Sequence, residues 1–118
     1  MNETHVTFKP RTAAIGADVL GVDLNQMDDA LFARLKRGLH EHLVLFFHDQ
    51  HLTPEAHMAF AARFGRMEVH EVFTPLECHP EISVLEHDAA RPPISDTWHS
   101  DVTYRPTPSM AAVLYARH

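Results

Sequence analysis

Leucines recur at Leu31, Leu35, Leu39 and Leu43, with Phe32 and His42 beside them. A four-residue repeat keeps successive side chains near one face of a helix, so the spacing predicts an amphipathic helix over residues 29 to 42. Asp28 or Asp29 supplies a short carboxylate to cap it. Val44-Leu45-Phe46-Phe47 follows, an apolar run of strand formers that predicts a buried strand. Upstream, residues 5 to 24 alternate loosely around Gly16 and Gly21, which predicts two short strands near 5–8 and 17–22. Thr53-Pro54-Glu55 opens a second helix with a hydroxyl cap, a proline at the first helical position and an acid at the positive end. The helix is expected to carry Met58, Ala59, Ala62 and Phe64 to Gly65, its C-terminal stop.

The second half is less regular. Residues 66 to 80 read as a loop with strand character around Val69 to Phe73, and Ile82-Ser83-Val84-Leu85-Glu86 reads as a strand. Asp88 to Thr97 contains Pro92-Pro93 and is loop. Pro106 and Pro108 break the chain again, and Met110 to Tyr115 predicts one more strand. No internal repeat or low-complexity tract is present.

At 118 residues and 45% hydrophobic content, the chain is expected to hold one domain at most, with a modest core. A net charge of -6 and the lack of a basic run argue against a nucleic-acid partner. No apolar run reaches bilayer length, so no membrane partner is expected. The N-terminus, Met1-Asn2-Glu3-Thr4-His5, lacks the pattern of a secretory signal. Cys78 is the single cysteine and cannot form an intrachain disulfide; a reducing cytoplasm fits.

Candidate chemistry centres on Trp98-His99-Ser100-Asp101, followed by Val102-Thr103-Tyr104. On a strand, residues two apart share a face, so His99 and Asp101 are expected to point into one cavity. Such a pair is two thirds of the 2-His-1-carboxylate site that holds non-haem Fe(II) and leaves positions open for substrates. His99 must then be neutral at one ring nitrogen and Asp101 ionised, so acid strips the metal. Trp98 is expected in the core. His40 and His42 do not share a helix face and read as surface or packing residues. His48-Asp49-Gln50-His51 has no further ligand at a zinc spacing.

Several segments, in order, resemble a known family. They are Gly16-Ala17-Asp18-Val19 with Gly21-Val22-Asp23-Leu24, Leu45-Phe46-Phe47-His48-Asp49-Gln50 with Leu52-Thr53-Pro54-Glu55, Phe60-Ala61-Ala62-Arg63-Phe64-Gly65, and the segment from Trp98 to Tyr104. Together they look like the taurine dioxygenase (TauD/TfdA) family of Fe(II)- and 2-oxoglutarate-dependent oxygenases. The similarity runs from about Ile15 to Arg117. It implies an α+β chain that is the N-terminal portion of a double-stranded β-helix, or jelly roll, with flanking helices and an incomplete core.

The resemblance implies that His99 and Asp101 are metal ligands for Fe(II). It implies O2 and 2-oxoglutarate as co-substrates, with oxidative decarboxylation to succinate and CO2 and hydroxylation of an unactivated C–H bond in a small organic anion. In taurine-type members the hydroxylated carbon then releases sulfite. His70 matches the residue that contacts the substrate sulfonate, and the backbone amide of Val102 assists. Phe73 stands where the taurine enzyme has tyrosine, and Ser95 where it has asparagine. Both changes remove polar reach toward an amine. They point away from taurine and toward a less polar sulfonate, an alkyl sulfate ester or an aryloxy carboxylate.

The same resemblance places the third iron ligand, a histidine, and the arginine that binds 2-oxoglutarate beyond His118. The competing expectation is therefore a truncated, non-catalytic fragment or interaction module of the same fold. Its exposed strand edges would favour a homo-oligomer.

Overall fold

The computed structural model describes residues 5–94 and 97–117. The chain divides into two compact units, Met1–Ala56 and His57–His118. The first unit is built on a three-stranded sheet of β1 (Thr7–Pro10), β2 (Ala17–Leu20) and β3 (Leu45–Phe47), with β2 in the centre. β1 runs antiparallel to β2, with Phe8 opposite Val19, and β3 runs parallel to it, with Val19 opposite Phe47. The parallel pair is joined through helix α1 (Asp29–His42), as a parallel crossover requires. Ala17 and Val19 are buried on one face of β2, together with Val6, Leu24, Leu31 and Leu35.

Asp18 lies between those two core residues and faces the opposite side of the sheet. Its Oδ1 sits 2.7 Å from His48 Nε2, and its Oδ2 is 3.5 Å from Arg11 Nε. The His48 hydrogen bond, backed by the Arg11 charge, holds the Asp18 carboxyl below the usual carboxylate range. Arg11 also lies over the Phe46 ring at 5.1 Å. His48 is thus a partner of the central strand. Gln50 accepts from the Leu24 amide and donates to the Val22 carbonyl, which ties the loop after β2 to the segment after β3.

Helix α1 begins as expected. Asp28 is extended, and its Oδ1 accepts from the Leu31 amide at 2.7 Å. The leucine stripe departs from expectation at its end. A helix turns about 100° per residue, so each four-residue step drifts roughly 40°. Leu31 and Leu35 are buried, Leu39 is half-buried, and Leu43 is 61% exposed. Leu43 caps the helix in the left-handed conformation, its amide bonded to the Leu39 carbonyl. The buried stripe continues through Gly38, seven residues from Leu31 and only about 20° off its direction. The Phe8 ring of β1 rests on Gly38 and stacks on His42 at 5.9 Å.

Helix α2 (Pro54–Ala62) spans the division between the units. Thr53 Oγ1 caps it by accepting from the Ala56 amide. It ends before Phe64, and the chain passes through Gly65 at φ +148°. In the second unit Phe60 is buried and meets Phe64 edge to face. β4 (Thr74–Leu76) and β5 (His79–Val84) form an antiparallel hairpin turned through Glu77 and Cys78. The strand expected around Val69 to Phe73 is absent, and pairing starts at Thr74 because the ladder is set by β5. β5 begins at His79 and stops at Val84, short of Glu86.

Two further strands expected from sequence do not form. Residues 98–104 are loop and turn, and 110–115 run without a ladder among the described residues. Apolar composition favours a strand, but a strand exists only with a hydrogen-bonding neighbour. Val113 is instead tied by its carbonyl to His57 Nε2 at 2.9 Å, and Tyr115 meets the His57 ring edge. Trp98, expected in the core, is fully exposed, since its loop lies under no apolar layer among the described residues. The described residues form an α+β arrangement of two small sheets and two helices, and no helix among them is long and apolar enough to cross a membrane.

Gly38→Ala tests the packing of β1 on α1. Alanine is the better helix former by up to about 1 kcal/mol. A Cβ at this position would nevertheless lie 2.6 Å from Phe8 Cζ. We expect overpacking to win, with a net loss of about 1–2 kcal/mol in denaturant unfolding. Adding Phe8→Leu should recover part of it, and an unchanged or raised midpoint in Gly38→Ala alone would contradict the packing.

Candidate active site

The segment from Thr97 to Arg105 makes hydrogen bonds to its own backbone. His99 Nδ1 lies 2.7 Å from the Thr97 carbonyl oxygen, which accepts only, so Nδ1 carries the proton and donates. The other ring nitrogen then presents its lone pair. That nitrogen, Nε2, is 3.0 Å from Asp101 Oδ1. The two expected metal ligands therefore meet, through a turn and without the strand that the alternation argument invoked. Both are open to solvent, at 54% and 71% exposure.

A bare imidazole nitrogen and a carboxylate oxygen at 3.0 Å repel unless something positive lies between them. A proton meets that need, and so does a divalent cation. First-row ions hold nitrogen and oxygen donors at about 2.1 Å, so two donors at right angles around one ion lie roughly 3.0 Å apart. The donor pair fits such an ion in spacing and type, with the carbonyl of Thr97 orienting the imidazole. No group of three His, Cys, Asp or Glu side chains assembles around a common point among the described residues. His118 lies outside them.

Val102 follows Asp101 in the left-handed region at φ +55°. A β-branched residue resists this conformation, at a cost of about 1–3 kcal/mol. The turn is closed by the Arg105 amide on the Val102 carbonyl at 3.4 Å.

His70 and Phe73 form a second cluster. Their rings pack at 4.6 Å with a 42° tilt. The Val72 amide donates to His70 Nδ1 at 3.2 Å, so the proton of a neutral His70 sits on Nε2, where it can be donated. Phe73 and Val72 are exposed beside it. Ser95, the remaining expected substrate residue, lies outside the described residues. One feature escaped sequence reasoning. Glu68 Oε2 is 2.7 Å from Arg105 Nη1 and accepts from Ser109 Oγ at 2.9 Å, joining the two segments. A hollow in the first unit, lined by Gly21, Val22, Asp23, Gln26 and Leu31, contains none of the expected site residues.

The profile of the "Taurine catabolism dioxygenase TauD, TfdA family" matches residues 7–118. The chain belongs to this family. Among its TauD/TfdA relatives, an (S)-phenoxypropionate/alpha-ketoglutarate-dioxygenase of Sphingobium herbicidovorans is 37% identical over 112 residues, covering 91% of this chain and 39% of the relative. A protein of the same name from Delftia acidovorans is 32% identical, over 97% of this chain and 42% of its own. The chain thus spans about two fifths of the length of the curated relatives it matches. The crystal structure of a putative alpha-ketoglutarate-dependent taurine dioxygenase from Burkholderia xenovorans superposes with a TM-score of 0.62 at 38% identity, over 70% of this chain and 32% of that one.

In this TauD/TfdA chain the His99 imidazole has its pKa raised above the ordinary 6.5, first by the Thr97 carbonyl and then by the Asp101 charge. The sign follows. The protonated pair stabilises the metal-free turn at pH below 6.5, and that contribution is lost as pH rises through the raised value. A metal ion competes for the same lone pair, so its binding should strengthen over the same rise. Titration of His99 by NMR should give a midpoint above 6.5 in metal-free protein. Asp101→Asn should lower it only part-way, because Thr97 still accepts from Nδ1. A midpoint at or below 6.5 would refute the arrangement.

Proposed function

We propose that the intact protein is an Fe(II)- and 2-oxoglutarate-dependent dioxygenase that hydroxylates a small organic anion, with an aryloxy carboxylate as the favoured class. The observation that carries this is the convergence of His99 Nε2 and Asp101 Oδ1 at 3.0 Å in a chain of this family. On this reading the described elements belong to a jelly-roll domain. His99 and Asp101 hold the metal. Bound Fe(II) supplies O2 activation coupled to oxidative decarboxylation of 2-oxoglutarate to succinate and CO2.

The chain's own residues prepare the substrate. His70 offers Nε2–H to the anionic group, since its Nδ1 is taken by the Val72 amide. Phe73 offers an apolar face against the His70 ring, suited to an aromatic body. The family resemblance gives Ser95 and the Val102 amide substrate-binding roles as well. Phenoxypropionate, named for two relatives, has this combination of carboxylate and ring. A second reading, a non-catalytic piece of the same fold, draws on the lack of a third donor among the described residues.

Both readings are separated by supplying the intact gene product with Fe(II), 2-oxoglutarate and a panel of phenoxypropionates, alkyl sulfates and alkylsulfonates, taurine included. Succinate formation stimulated by the aryloxy acid is the expected result. Loss of a ligand's hydrogen-bond partner alone costs about 10–100-fold in metal affinity or activity, so Asp101→Ala should cost more. His70→Ala should raise KM for the anion about tenfold or more, the worth of a hydrogen bond to a charged group. Absence of any Fe(II)-dependent succinate would establish the second reading, and unchanged turnover in Asp101→Ala would remove that residue from the metal.

A further inference from the structure

We propose that Glu68 and Arg105 are positioning residues that hold the His70–Phe73 segment in register with the His99–Asp101 segment, and so set where a substrate anion lies relative to the metal ligands. The inference rests on the dioxygenase reading for its functional half and on geometry for its structural half. Glu68 stands two residues before His70, and Arg105 four residues after Asp101. Neither stretch has a strand ladder to hold it. The Glu68 carboxylate bridges them, with one oxygen, Oε2, taking both the Arg105 guanidinium at 2.7 Å and the Ser109 hydroxyl at 2.9 Å.

The bridge differs from the Arg91 pairs of this unit, and from His99 with Asp101, in the length of chain it spans. Arg91 pairs with Asp88 three residues away and with Glu86 nearby, and so braces only its own turn. Glu68 and Ser109 are separated by 41 residues. The Arg105 and Glu68 side chains are 29% and 33% exposed, which shields them from salt better than a free surface pair. Arg105 also packs over the Tyr104 ring at 5.7 Å, fixing the guanidinium from a second side.

The link from this bridge to the site is short and stiff on both arms. Toward the metal ligands, the Arg105 amide closes the turn on the carbonyl of Val102, whose left-handed backbone adjoins Asp101. A strained residue persists only when its surroundings hold it, and Arg105 is part of that surrounding. Toward the anion donor, Val69 alone separates Glu68 from His70, whose ring is braced by the Val72 amide and Phe73. A shift of about 1 Å in the relative placement of reacting groups can cost about 100-fold in rate. The pair therefore acts on specificity and coupling without touching the reacting atoms.

The test uses the intact gene product and the variants Glu68→Ala, Arg105→Ala, the double variant, and the charge swap Glu68→Arg with Arg105→Glu. Hydrogen exchange is read first, since it needs no turnover. Arg105→Ala should speed exchange across 69–73, and Glu68→Ala should speed it across 99–105, each in the segment opposite the change. Affinity for Mn(II) should stay within about twofold, because neither residue is a ligand. With Fe(II) and 2-oxoglutarate, KM for the anion should rise about tenfold in each single variant, more succinate should form without hydroxylated product, and 2-oxoglutarate consumption without substrate should stay unchanged. The double variant should be no worse than the poorer single variant, and the charge swap should recover most of the KM. Exchange confined to the mutated segment, additive losses, or faster exchange with an unaltered KM would overturn the proposal. If the wild-type protein makes no succinate, the dioxygenase reading falls, and the exchange data alone then decide whether the bridge holds the two segments.

Discussion

On the dioxygenase reading, the chemistry of this chain depends on one hydrogen bond, from His99 Nδ1 to the carbonyl oxygen of Thr97. It fixes which nitrogen carries the proton and which way the ring faces. Nε2 is left as a base and is aimed at a second base, Asp101 Oδ1. Two bases held that close form an arrangement that favours any small positive charge, and a proton and a metal ion are rivals for it. The raised pKa of His99 is the proton's side of that rivalry. Both side chains are open to water, which keeps the interaction weak.

Local rules were the legible part of the sequence. The Asp28 and Thr53 caps act on amides three residues ahead, and both sit where a reader of the sequence alone would put them. The start of α1 and the position of β3 follow from patterns a few residues long. β3 is not, however, the buried strand its apolar run predicts: Phe46 is 39% exposed, because that face of the sheet carries Asp18 and Arg11 and no apolar layer among the described residues. Leu43 marks where this reasoning loses accuracy, since a drift of about 40° per step takes the fourth leucine off the buried face. Gly38, invisible to a hydrophobic count, takes its place because the Phe8 ring needs the room.

Long-range pairing was the illegible part. His99 and Asp101 were expected together for the alternation of a strand, and they come together in a turn that a left-handed Val102 helps to shape. Met110 to Tyr115 has the composition of a strand but no ladder among the described residues, and composition cannot report whether a neighbour is there. The same limit hid Glu68 with Arg105 and Asp18 with His48. No spacing rule joins residues so far apart.

The electrostatic state of Arg105 bears on what the site can recognise. Glu68 offsets the Arg105 charge through Nη1 alone, which weakens its pull on an incoming anion while leaving the donors on Nε and Nη2 outside that contact. On the dioxygenase reading, His70 presents one N–H to the anion, beside the Val102 amide. One such bond contributes about 1.5–3 kcal/mol to a charged partner, which is too little for tight binding by itself. Apolar contact adds to it, and Phe73 offers a face for that, with part of its ring on His70 and part open. A substrate that is nearly all charge, such as taurine, gains little from that face. A carboxylate carried on an aromatic ring uses both contacts at once, and that balance is the physical ground for preferring it.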